Sequence, residues 1–243
     1  MSKTTNNMYG LVIGAGGAIG AAISHQLTTE LPRLHLHATH RVATSAMDNF
    51  TSWHALDLLD ARAIGTFLER MLDELTHLDY LVCATGVLHA QDVAPEKKAA
   101  DWTPTQFQKV MWINAGAPLT LLTGLSPLLK KSGAPKALFL SAQIGSIGDN
   151  ESGGWYSYRM SKAALNMGIK TAAIEAARWR NNASIIAAHP GTTRSGLSRP
   201  FTARRRNLLD PKRSAADLTQ LLLNLTPDQS GTFTDRQGNP LPW

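Results

Sequence analysis

The sequence predicts an α/β protein folded as a doubly wound parallel sheet, with residues 1–243 in a single domain. Three observations carry that expectation. Short apolar runs alternate with helix-prone stretches along the whole chain. The first run, Tyr9-Gly10-Leu11-Val12-Ile13, passes directly into the glycine loop Gly14-Ala15-Gly16-Gly17-Ala18-Ile19-Gly20 and then into the helix-prone residues Ala21 to Thr29. No internal repeat, low-complexity tract or linker interrupts this order.

The remaining elements follow the same rhythm. Strands are expected over Leu34–Thr39, Trp53–Asp57, Asp79–Ala84, Lys136–Ser141 and Asn182–Ala188. Helices are expected over Asp60–Leu75, from Pro104 onward, over Met160–Ala177 and over Pro211–Leu225. Val87–Thr103 reads as a solvated loop and Leu197–Asp210 as a basic one. Gly231-Thr232-Phe233 and the closing Pro240-Leu241-Pro242-Trp243 suggest a last strand and a docked tail.

Composition narrows the function classes. With 43% hydrophobic and 17% charged residues, 243 residues are ample for a sizeable core. The single cysteine, Cys83, leaves no internal disulfide and fits a reducing, cytoplasmic setting. It lies in an apolar run, so a packed thiol is expected. The N-terminus shows no apolar h-region, so no secretory signal is expected. No apolar run approaches the ~18 residues that span a bilayer, so no membrane partner is expected. The formal charge of +6 suits anionic small molecules, nucleic acid or solubility. Arg204-Arg205-Arg206 and Lys212-Arg213 lack interleaved aromatics and a reader motif, which argues against nucleic acid.

Strand, glycine loop and helix together let backbone N–H groups face an anion, with the helix N-terminus adding partial positive charge. That is the dinucleotide-binding arrangement of a Rossmann-like fold. In such folds an acid at the end of the second strand meets the adenosine ribose and selects NAD. Here the segment reads Thr39-His40-Arg41. Arginine pairs with a 2′-phosphate through several donors, so NADP(H) is favoured over NAD, with Arg41 as the contact.

Tyr158 and Lys162 stand four apart in Trp155-Tyr156-Ser157-Tyr158-Arg159-Met160-Ser161-Lys162. On a helix they share one face. An ammonium beside a phenol lowers the phenol's pKa and makes it a general acid and base near neutrality. Asn114 is a polar residue in an apolar stretch, and it needs partners there.

On these motifs the chain resembles the short-chain dehydrogenase/reductase family, and Ser146-Ile147-Gly148-Asp149-Asn150, Gly153-Gly154-Trp155 and the ending Pro240-Leu241-Pro242-Trp243 resemble its C-factor and sniffer-like carbonyl reductases. Gly14-x-x-x-Ala18-Ile19-Gly20 is similar to the family's G-x-x-x-G-I-G, with Ala18 at the middle glycine. Asn114, Tyr158-x-x-x-Lys162 and Pro190-Gly191 follow in family order. The resemblance implies an oxidoreductase that moves a hydride between NADP(H) and a carbonyl or alcohol. It further implies Asp57 at the adenine and Ala84-Thr85-Gly86 near the adenine ribose. Pro190, Gly191, Thr193 and Ser195 fall at the nicotinamide, and Lys162 on its ribose. Asn114 would hold a water beside the lysine. It also implies a substrate-covering loop near 197–210, a homo-oligomer (dimer or tetramer), and no metal. The family's second, catalytic serine falls at Ala142, leaving Ser141, Ser146 or neither to supply the hydroxyl. Ser141 is the first choice, although a regular strand points it the other way. The alternative reading, motivated by Ala142, is a nucleotide-binding regulator without turnover.

Overall fold

A computed structural model describes residues 7–41, 50–201 and 208–243. Its strands are β1 (Met8–Ile13), β2 (Leu34–His40), β3 (Ser52–Ala55), β4 (Tyr80–Cys83), β5 (Lys136–Leu140), β6 (Ser184–His189) and β7 (Phe233–Asp235). They form one seven-stranded sheet in the order β3-β2-β1-β4-β5-β6-β7, with every pair parallel. The order reverses between β1 and β4, and this opens a crevice at the carboxyl ends of the strands.

The helices are α1 (Ala18–Glu30), α2 (Ala61–Glu74), α3 (Pro104–Met111), α4 (Ala117–Lys131), α5 (Tyr156–Ala176) and α6 (Pro211–Asn224). Alternate strand residues face opposite layers. Leu11, Leu81, Phe139 and Ile185 pack with the layer containing α2, α4 and α5. Val12, Leu36, Leu138 and Ile186 pack with α1 and α6. Because both faces are covered, the central strands read as continuous apolar runs. Side-chain caps start three helices where the sequence puts oxygen acceptors: Asp60 at α2, Thr103 at α3 and Asp210 at α6.

Three local expectations change. The helix from Pro104 is divided by a π-helical turn over Trp112–Gly116, which carries Asn114. Val87–Thr103 is irregular but only partly solvated: Leu88, Val93 and Glu96 are buried. The last strand begins at Phe233, two residues later than the sequence suggests, and the tail folds back so that Gly148 N–H donates to the Trp243 carbonyl at 2.8 Å. Arg204, Arg205 and Arg206 lie outside the described residues.

Candidate active site

Two adjoining clefts occupy the crevice. Leu88 and Leu197 border both. The larger, about 680 Å³, runs over the ends of β1 to β4 and is bordered by Gly14, Gly16, Arg41, Asp57, Ala84, Thr85 and Gly86. The second, about 410 Å³, lies at the ends of β5 and β6 and is bordered by Ile19, Ser141, Tyr158, Pro190, Gly191, Thr193 and Ser195.

The glycine loop is held by contacts a side chain would break. Gly14 has φ +87, and a Cβ there would lie 2.9 Å from Thr85 Cγ2. A Cβ on Gly20 would lie 2.3 Å from the Gly14 carbonyl oxygen, so the first turn of α1 sits directly on the loop. α1 begins at Ala18 with no side-chain cap and no acid in its first turn. Its leading N–H groups therefore remain available to an anion. Thr39, which the motif reading passed over, ties the loop to β2: its Oγ1 accepts the Gly14 N–H at 3.0 Å and its carbonyl accepts the Ala15 N–H at 2.9 Å. Arg41 is exposed at the end of β2, on the same cleft. Asp57 borders it just past β3, with one oxygen accepting the Leu59 N–H at 2.9 Å.

Tyr158 and Lys162 are both buried on α5, and the Lys162 ammonium lies 5.9 Å from the centre of the Tyr158 ring. Lys162 Nζ donates to the Leu140 carbonyl at 2.8 Å. The expected lowering of the phenol's pKa is not found. Burial raises the Tyr158 pKa above that of ordinary tyrosine. Burial also brings Lys162 down to about 8. Desolvation penalises each charged form, and at this separation the ammonium does not overcome it.

Gly86, on the larger cleft, lies beside Lys162 and Asn114: a Cβ there would be in ordinary contact with Lys162 Nζ at 3.5 Å and Asn114 Oδ1 at 3.6 Å. Asn114 is fully buried and its amide is committed to the protein. Its Oδ1 accepts the Val87 N–H at 2.7 Å, and its Nδ2 donates to the Val87 carbonyl at 2.9 Å and to Ser161 Oγ at 3.0 Å. The side chain is thus a clip between the π turn, the loop after β4 and α5. Both Nδ2 protons are thereby used, while Oδ1 keeps a second lone pair.

The structure places the two candidate serines and Ala142 as follows. Strand alternation sends Ser141 toward α5, where its Oγ donates to Asn166 Oδ1 at 2.6 Å. Ser146 Oγ donates to the Trp243 carbonyl at 3.2 Å and accepts the Asp149 N–H at 3.0 Å. Ala142 is the residue packed with Tyr158 and Leu88. Ser141 borders the cleft while its Oγ lies against the Asn166 side-chain amide.

Three further residues shape the site. Glu96 is 2% exposed although the sequence places it in a polar loop. One carboxylate oxygen accepts the Ser157 hydroxyl and Gln106 Nε2 at 2.8 Å; the other accepts the Ser157 N–H at 3.2 Å. The Glu96 carbonyl accepts the Trp155 N–H at 2.5 Å. Trp155 precedes α5 with φ 51 and provides no side-chain cap, so Glu96 caps the helix from a distant loop and complements its dipole. Replacing Glu96 by Ala leaves these donors unpaired, with an expected cost of about 2 kcal/mol. Thermal unfolding should detect that loss, and turnover should fall with it, because Tyr158 follows Ser157 directly. His189, at the end of β6, borders the second cleft and is pushed down to about 4 by burial, so it is neutral at pH 7. Phe201 meets Trp155 with ring centres 5.1 Å apart and closes the same cleft. No periodic pattern in the sequence marks any of the three.

Among the described residues, one group has metal-ligand geometry: ligand atoms of His37, His54 and Glu74 lie within 4.8 Å of one another. Ser52 Oγ already bridges the two imidazoles at 2.6 Å each, and Arg70 pairs with Glu74 at 2.6 Å. The group borders neither cleft.

A parallel sheet with a glycine loop at its switch point, and a buried Tyr and Lys on the helix beside it, defines a dinucleotide-binding oxidoreductase. The family model described as short chain dehydrogenase matches residues 9–206, and the chain belongs to that family. A dehydrogenase of 1-hydroxy-2-glutathionyl-2-methyl-3-butene from Rhodococcus sp. (strain AD45) is 29% identical over 234 residues, covering 96% of this chain and 98% of that protein. C-signal of Myxococcus xanthus is 30% identical over 131 residues, covering 54% and 75%. Among solved structures, the carbonyl reductase Sniffer of D. melanogaster superposes with TM-score 0.82 at 23% identity, covering 98% and 99%. An NADPH-bound carbonyl reductase from chicken fatty liver gives 0.84 at 23% identity, covering 97% and 94%.

Proposed function

We propose that this chain is an NADP(H)-dependent carbonyl reductase or alcohol dehydrogenase. The observation that carries the reading is Tyr158 at the second cleft with Lys162 beneath it, where that cleft adjoins the one bordered by the glycine loop. The nicotinamide, when bound, supplies or accepts the hydride. Gly14, Gly16, Ala18, Ile19 and Gly20 form the phosphate turn, and Arg41 takes the 2′-phosphate. Asp57 meets the adenine. Ala84, Thr85 and Gly86 flank the adenine ribose, and Pro190, Gly191, Thr193 and Ser195 hold the nicotinamide end. Tyr158 gives its proton to the carbonyl oxygen as charge develops there. Lys162 steadies the nicotinamide ribose, and Asn114 holds the π turn against α5. Leu197 and Phe201 stand on the cleft wall at the start of the segment near 197–210, which is assigned to cover the substrate, and residues 202–207 of it lie outside the described residues.

NADP is preferred to NAD because Arg41, and no acid, follows β2. The chicken reductase carries NADPH, which supports the same cofactor. Exposed Met160, Met167 and Ile174 along α5 favour a homo-oligomer, a dimer or tetramer. Cys83 as a lone buried thiol favours a cytoplasmic setting, and among the described residues no helix is long and apolar enough to cross a membrane.

The test is NADPH oxidation across a panel of aldehydes, ketones and quinones. Turnover of at least one class is expected. Tight NADPH binding with no turnover on any of them would instead favour a non-catalytic regulator.

A further inference from the structure

A carbonyl that receives a hydride develops negative charge on oxygen, and hydrogen-bond donors aimed at that oxygen stabilise it. Tyr158 is one such donor on the second cleft. The position of the family's serine holds Ala142, which packs with Tyr158 and presents only carbon. Ser141 Oγ lies 2.6 Å from Asn166 Oδ1, and Ser195 Oγ accepts the Ser198 N–H at 3.2 Å. His189 differs from both. It borders the same cleft, and among the described residues neither of its ring nitrogens has a hydrogen-bond partner.

Its place in the fold puts it opposite the phenol. His189 is the last residue of β6, and Tyr158 lies in the first turn of α5. Two residues earlier, Ala187 packs in the layer that contains α5, so strand alternation turns His189 to the side Tyr158 occupies. Nδ1 is the buried nitrogen, which leaves Nε2 to face the cleft. A neutral imidazole carries one N–H and one bare nitrogen. A buried N–H without an acceptor is the rarer and costlier orphan, so the proton belongs on Nε2. Burial holds His189 down to about 4, and the ring therefore donates as a neutral group at pH 7.

We infer that His189 is a further catalytic residue, whose Nε2–H donates to the substrate's carbonyl oxygen beside Tyr158 and supplies from β6 the second donor that Ala142 lacks. The inference rests on the carbonyl-reductase reading and adds a residue to it. In the reduction, the carbonyl carbon receives a hydride from NADPH. The C=O π pair moves onto oxygen, and the oxygen takes the Tyr158 proton. His189 keeps its own proton and shares the charge on that oxygen through a hydrogen bond. The carbonyl is reduced to an alcohol and the nicotinamide is oxidised.

The experiment measures single-turnover hydride transfer from NADPH to 4-nitrobenzaldehyde, or to the fastest member of the carbonyl panel if that aldehyde is not turned over. It compares the unaltered full chain with His189→Leu, His189→Asn and His189→Gln. A glutamine amide nitrogen reaches about as far as Nε2, and an asparagine one about as far as Nδ1. Removing one donor to a developing oxyanion costs about 10²–10³ in rate. His189→Leu and His189→Asn should therefore slow the step about a hundredfold and change NADPH affinity less than about threefold. His189→Gln should stay within about tenfold of the unaltered chain. Should His189→Leu fail to fold, the asparagine and glutamine pair decides. A leucine or asparagine variant that keeps its rate overturns the inference and leaves the reductase reading intact. So does a glutamine variant as slow as the asparagine one, or a loss of NADPH affinity with hydride transfer unchanged. Turnover of no carbonyl in the panel by the unaltered chain overturns that reading and this inference with it.

Discussion

Tyr158→Phe is expected to lower turnover at least about a thousandfold while changing NADPH affinity less than about threefold. A positioned general acid contributes about 10²–10⁴ in rate, and this substitution removes only the proton it delivers. The ring that packs with Leu88 and Ala142 stays, so the cleft keeps its shape. Burial raises the Tyr158 pKa, so the phenol remains protonated throughout the neutral range and is ready to act as the acid in reduction. Lys162, brought to about 8, loses its charge as pH rises through that value. Its electrostatic support of the developing oxyanion is therefore present below about pH 8 and fades above it. Stopped-flow hydride transfer and fluorescence titration of NADPH separate the two quantities. Turnover retained in the phenylalanine variant would refute the role given to Tyr158.

Arg41→Ala is expected to weaken NADPH by about tenfold to a hundredfold and to leave NADH nearly unchanged. A hydrogen bond to a charged group contributes about 1.5–3 kcal/mol, and about 1.4 kcal/mol corresponds to a factor of ten. Arg41 is exposed at the mouth of the larger cleft, so salt will moderate its effect. The discrimination between cofactors should accordingly shrink as ionic strength rises. Parallel titrations of both cofactors provide the measurement. Equal losses for the two would mean that Arg41 acts on the cleft in general and not on a 2′-phosphate.

The chemistry-bearing positions were legible where they formed local patterns. Gly14 to Gly20 is a continuous turn between a strand and a helix, and Tyr158 and Lys162 are one helical turn apart. Both relations are set by backbone geometry over a few residues. Asn114 was legible as a buried amide, but its partners, Val87 and Ser161, come from elements far away in sequence. Glu96 misled for a related reason. In Pro95-Glu96-Lys97-Lys98 it looks like part of a solvated charge run, yet its carboxylate closes the start of a helix some 60 residues later. Ser141 is the first choice of the sequence for the catalytic hydroxyl; strand alternation points it at α5, and the Asn166 side chain within hydrogen-bond reach there is a tertiary fact.

By itself the sequence determined the class of fold, the order of strands and helices, and the Tyr–Lys pair. Hydrophobic periodicity and glycine placement act over distances shorter than one element. Only the tertiary structure decided which groups are buried together. It raised the Tyr158 pKa in place of lowering it, set Ser141 Oγ against Asn166, and brought Glu96 under α5. Desolvation and hydrogen-bond partnership depend on atoms supplied by distant parts of the chain, and these become neighbours only when the sheet and its two helical layers close around them.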